Sequence, residues 1–133
     1  MKAKIFAAEK INMIAIIDYG IEKNHPFIGL LSELKIDVKI NHSESEILRA
    51  DKVILPNTTN ISSVVKKLHL LNLFAMLRLC NKPMLGISVG MHLMSAYSKE
   101  GDLACLGIFR GTTEGFVDKK TVLQFRLKAK FLW

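Results

Sequence analysis

Ser88 is the residue whose neighbours most clearly prepare it for chemistry. It stands in Pro83-Met84-Leu85-Gly86-Ile87-Ser88-Val89-Gly90-Met91-His92, where a short apolar strand pattern meets a serine flanked by glycines and then an apolar helical pattern. Gly-x-Ser-x-Gly between strand and helix is an elbow. Its middle residue occupies a strained turn, and side chains at the flanking positions would collide with the helix and the neighbouring strand. The turn lifts Ser88 to the carboxyl edge of a sheet, beside helix-start N–H groups that stabilise an oxyanion or a carboxylate. The chemistry on offer is attack of a hydroxyl on an acyl carbon. The bland alternative is a glycine-rich β–α turn with no chemistry, and the elbow alone does not choose between them.

Other chemistry-bearing residues are less organised. His25 and His42 lie near predicted element ends and read as surface residues, and His69 reads as a core or rim histidine in an apolar helix. Met84, Met91 and Met94 read as core filling. Asp18 falls at the carboxyl end of a predicted strand, where it could touch a ligand or cap a helix. Cys80 and Cys105 are far apart in apolar contexts and read as reduced and buried, with no zinc spacing. The sequence gives no reason to expect a metal or another cofactor.

The elements that position Ser88 follow from hydrophobic periodicity. Residues 1–12 read as an N-terminal extension, and residues 13–133 as a single domain. Met13-Ile14-Ala15-Ile16-Ile17-Asp18 is a continuous apolar run suited to a strand buried on both faces, with Tyr19-Gly20 as its turn. A helix is predicted over residues 24–34, a near-edge strand over 36–40, and a short helix after the capping-box spacing Ser43-Glu44-Ser45-Glu46. A third strand over 52–56 leads into the polar loop Asn57-Thr58-Thr59-Asn60 and one long, broadly buried helix over 62–79. After the elbow helix come short strands over 105–109, 112–117 and 122–131. In the last, Phe125, Leu127, Ala129 and Phe131 alternate with polar residues. The expected fold is α/β: a three-layer, open, mainly parallel sheet with helices on both faces, plus C-terminal antiparallel strands. Ligands of such sheets bind beyond the carboxyl ends of central strands, the edge shared by Asp18, the 57–60 loop and Ser88.

Composition bounds the function. The chain has 133 residues, half of them hydrophobic, enough for one core. No apolar run reaches the ~18 residues of a membrane span, and the opening residues do not form a signal peptide, so the expected location is cytoplasmic. The net charge of +7 sits mainly at the ends, with six basic and two acidic residues from Arg110 onward. No aromatic-basic interleaving accompanies it, which argues for a solvated face and against nucleic acid.

Several motifs occur in one order. They are Ile14-Ala15-Ile16-Ile17-Asp18-Tyr19-Gly20, Ala50-Asp51-Lys52-Val53-Ile54-Leu55-Pro56, Lys82-Pro83-Met84-Leu85-Gly86-Ile87, Gly90-Met91, and Leu106-Gly107 with Gly111. Together they resemble the glutaminase subunit of imidazole glycerol phosphate synthase, a class I (triad-type) glutamine amidotransferase of histidine biosynthesis with a flavodoxin-like core. The resemblance implies hydrolysis of glutamine to glutamate and ammonia, through a thioester on an elbow cysteine, with ammonia passing to a (β/α)₈-barrel cyclase partner.

Against that pattern the departures are concentrated at the site. The nucleophile position is Ser88, and no histidine follows His92 to match the family's later His/Glu pair. The oxyanion and substrate-pocket positions fall on Asn57, Thr58, Gly86, Val89, His92 and Ala96. Asn57 and Thr58 lie where the family has a glycine-rich loop, His92 replaces a substrate-holding glutamine, and Ala96 replaces an acid. Loss of one triad member costs up to ~10⁶ in turnover, so the chain is expected to have no useful glutaminase activity alone. A serine hydrolase would need a downstream histidine, because His92 lies four residues along the same helix, pointing back over the turn. A non-catalytic module binding glutamine or an anion at the elbow is the other reading on this fold. Sheet edges that the family covers predict a partner, either a barrel synthase subunit or a second copy.

Overall fold

The computed structural model describes residues 13–20 and 26–115. The proposed extension over 1–12 and the predicted strand over 122–131 lie outside them. Four strands form a parallel sheet: β1 (Met13–Ile17), β2 (Asp37–Asn41), β3 (Lys52–Leu55) and β4 (Met84–Gly86), in the order β2-β1-β3-β4. The second strand is an edge strand, as expected. Period-2 alternation divides β1 and β3 between two cores. Ala15, Ile17, Val53 and Leu55 face one side, and Ile16 and Ile54 face the other.

The larger core is covered by α2 (Glu44–Arg49), α3 (Ile61–Leu70), α4 (Phe74–Leu79) and α5 (Val89–Met94), which contribute Ile47, Val64, Leu68, Leu77 and Leu93. The smaller is covered by α1 (Pro26–Glu33) through Phe27, Ile28 and Leu31. The three layers are therefore present but unequal. On the thin side Leu85 of β4 is 45% exposed, and Leu30 and Leu34 are exposed too.

The long helix expected over 62–79 is two helices. Asn72 adopts φ 58°, its N–H donates to His69 O at 3.1 Å, and Leu73 N–H donates to Leu68 O at 2.9 Å. This is the paired 5→2 and 6→1 pattern of a left-handed helix stop, sealed by the burial of both Leu68 and Leu73. The broad burial predicted for that segment fails with it, since Leu70 is 80% and Leu79 78% exposed. A matching stop ends α1 at Lys35, φ 55°, through Lys35 N–H to Ser32 O and Ile36 N–H to Leu31 O. Ser43 is the N-cap of α2, but its side chain makes no capping bond and pairs with Ser45 Oγ at 3.0 Å instead.

The strands after the elbow helix differ from expectation. They are β5 (Tyr97–Ser98), β6 (Leu103–Ala104) and β7 (Thr112–Thr113), and they form a separate sheet. The sheet is mixed, with β5 antiparallel to β6 and parallel to β7, so it is neither purely antiparallel nor an extension of the main sheet. Residues 105–109 are not a strand; they fold back on α5 through Leu106 N–H to Leu93 O and Ile108 N–H to Met94 O. No helix among the described residues is long and apolar enough to cross a membrane.

Candidate functional site

The elbow forms where β4 ends. Gly86 pairs with Leu55 in the sheet, Ile87 N–H donates to Leu55 O at 3.0 Å, and α5 starts two residues later. Ser88 takes φ 54°, ψ −109° with its side chain exposed, a conformation that costs of order 1–3 kcal/mol for a non-glycine residue. Both flanking glycines are sterically required. A Cβ on Gly90 would lie 1.9 Å from Leu55 O, and one on Gly86 would lie 2.7 Å from Gly90 O and from the Met91 backbone.

Above the elbow runs the loop after β3. Pro56 is buried, and its carbonyl accepts the Tyr19 hydroxyl. Burial pushes the Tyr19 hydroxyl far above the usual phenol range, so it stays a donor. At the other end of the loop, Asn60 caps α3 by accepting Ser63 N–H at 3.2 Å. Between these anchors Asn57 Oδ1 lies 3.4 Å from the Val89 nitrogen and accepts its N–H. Ser88, Gly86, Val89 and Asn57 are thus assembled at one point. Thr58 lies half-buried in the same loop. Asp18 accepts Gly20 N–H at 3.1 Å and so holds its own turn.

His92 and Ala96 do not join this group. The His92 ring is buried, and its Nδ1 makes no hydrogen bond; the carboxylate of Glu100 is 3.7 Å away. Burial lowers its pKa below the usual histidine value, and Glu100 partly opposes that. Ala96 lies beyond the end of α5, where Ser95 is the C-cap, and its backbone bridges Gly111 and Cys105. That early stop leaves Ala96 off the elbow helix. His69 is exposed and stacks on Phe74 at 4.3 Å, which places it at the rim and not in the core. Cys105 is buried, which pushes its thiol up, with hydrogen bonds from Ser95 and Ser98 opposing. Sequence reasoning missed Tyr19 as the loop's anchor, because Tyr19-Gly20 reads as a simple turn. Its aromatic body next to an apolar strand was the available signal.

An open parallel sheet that ends in a strand-to-helix elbow is the flavodoxin-like α/β arrangement of class I glutamine amidotransferases. Within that class the chain is HisH-like. It is 35% identical over 102 residues to imidazole glycerol phosphate synthase subunit HisH 2 of Legionella pneumophila (strain Philadelphia 1), covering 77% of this chain and 51% of that protein. It is 36% identical over 126 residues to HisH 2 of Methanococcus maripaludis, covering 90% and 56%, and 32% identical over 120 residues to HisH of Chromobacterium violaceum, covering 86% and 57%. The chain spans about half the length of the relatives it matches. No family model matches it.

Proposed function

We propose that this chain is a HisH-like glutamine amidotransferase polypeptide of histidine biosynthesis that keeps the glutaminase elbow and lacks the glutaminase chemistry. The single observation that carries the reading is Ser88 at φ 54° between two glycines that admit no Cβ. A strained non-glycine residue between two such glycines, at a strand-to-helix junction, is the geometry of a nucleophile elbow, which supports the reading.

Two features support inactivity in these 133 residues. A serine hydroxyl needs an adjacent base, whereas a cysteine is already a few per cent thiolate at neutral pH. The buried histidine nearest in sequence, His92, has its Nδ1 beside the Glu100 carboxylate and does not face the Ser88 hydroxyl as a partner among the described residues. In this reading Ser88 marks the nucleophile position, Val89 N–H and the Asn57-Thr58 loop mark the oxyanion side, and Gly86 gives backbone clearance. His92 and Ala96, which stand at the family's substrate-holding positions in sequence, lie away from this group and carry no substrate-holding role in this reading.

The relatives are named as subunits of a synthase. We therefore propose that this chain binds a barrel synthase subunit. Light scattering of the chain mixed with a (β/α)₈-barrel cyclase subunit tests this. A one-to-one complex is expected, and two unchanged separate peaks would sink the subunit role. Exposed Leu85 on edge strand β4 favours a second reading, a purely interacting module that pairs with another copy. A self-dimer without cyclase binding would select it.

A further inference from the structure

The loop after β3 carries a side-chain carboxamide into the elbow. Three observations converge there. Asn57 Oδ1 accepts the Val89 N–H at 3.4 Å, the amide that follows the nucleophile position in sequence. The residue before Asn57 is fixed by the buried Tyr19–Pro56 contact, and Asn60 is fixed as the cap of α3. Ser88 itself is exposed.

We infer that Asn57 is an internal occupant of the elbow: its own primary carboxamide takes the N–H that an external carboxamide or its oxyanion would need. The deduction rests on the elbow reading of Ser88 proposed above. An N–H at the first helical position has no partner within its helix, so a nearby acceptor claims it. An intramolecular group on a short tether acts at an effective concentration of order mM, which a free ligand must exceed. The loop anchors shorten that tether, because neither end of residues 57–60 is free to swing away. Asn57 is thus a positioning residue, holding the elbow amide in a satisfied, closed state.

The test is amide hydrogen exchange at Val89, read by NMR in the full chain, for the unaltered protein, Asn57→Ala and Asn57→Asp. One ordinary hydrogen bond corresponds to about a fivefold change, so Asn57→Ala should exchange about fivefold faster at Val89, with Leu93 unchanged as a folding control. Asn57→Asp keeps an acceptor oxygen and should remain protected. Equal exchange in Asn57→Ala and the unaltered protein overturns the inference, as does loss of protection in Asn57→Asp with Leu93 intact. Added glutamine then separates this inference from the functional reading. A Val89 shift in Asn57→Ala, absent in the unaltered protein, supports both. Faster exchange without a glutamine shift upholds the internal occupant and counts against glutamine as the elbow's ligand.

Discussion

Gly90→Ala is predicted to be the most damaging single-methyl change at the elbow. The added Cβ would lie 1.9 Å from Leu55 O, 2.7 Å from Leu55 C and 3.0 Å from Leu55 Cβ, where real Cβ atoms essentially never come closer than 3.0 Å. The obstacle is strand backbone, so α5 must retreat from β3 by about 1 Å, the gap between 1.9 and 3.0 Å. That retreat strains the Ile87 N–H bond to Leu55 O, whose loss leaves a buried acceptor unsatisfied at about 1–3 kcal/mol. It also loosens the packing of Leu93 and Met94, where such misfits cost about 1–3 kcal/mol. Together these amount to roughly 3 kcal/mol or more, a large share of a typical 5–15 kcal/mol. Gly29→Ala is the control, since nothing lies within 4 Å of its new Cβ and helix propensity favours alanine by about 0.5–1 kcal/mol. Urea unfolding followed by circular dichroism reads both. Gly90→Ala within about 0.5 kcal/mol of the unaltered protein, the range of inconsequential surface changes, would refute the close approach of α5 to β3.

Leu68→Ala should cost about 2–5 kcal/mol because Leu68 is fully buried, while Leu70→Ala, two residues away, should stay within about 0.5 kcal/mol. Comparable losses in the same unfolding assay would mean that α3 and α4 are one broadly buried helix after all. His92 should make stability fall on acidification. Its folded pKa is depressed, so below pH ~6.5 the unfolded chain takes up the proton more readily than the folded one, and the stability present above that pH is lost as pH drops toward the folded pKa. Urea midpoints at about pH 7.5 and 5.5 should differ in the unaltered protein and differ less in His92→Gln; an unchanged difference in the variant would reject His92 as the source.

The backbone geometry of the elbow was legible because glycine is informative where backbones nearly touch. Gly86 and Gly90 announced the elbow, and both prove to lack room for a methyl group. The continuous apolar runs of β1 and β3 likewise specified strands buried on two faces. The break at Asn72 was harder to see. Asparagine interrupts an apolar run without forbidding helix, and its left-handed conformation depends on Leu68 and Leu73 both finding the core. The small mixed sheet was hidden for a related reason. Its strands are two residues long, too short for a period, and Ser95 Oγ joins it to α5 by donating to His92 O at 2.6 Å and pairing with Thr113 Oγ1 at 3.1 Å. The partnership of Asn57 with Val89 joins residues 32 apart, which no local pattern encodes.

Release of glutamate from glutamine tests the central claim most directly. The purified chain and its Ser88→Cys variant should both remain at the buffer background, because restoring the thiol supplies neither a positioned base nor a free elbow amide. Turnover by the unaltered chain that disappears in Ser88→Ala would contradict the account and make Ser88 a working nucleophile.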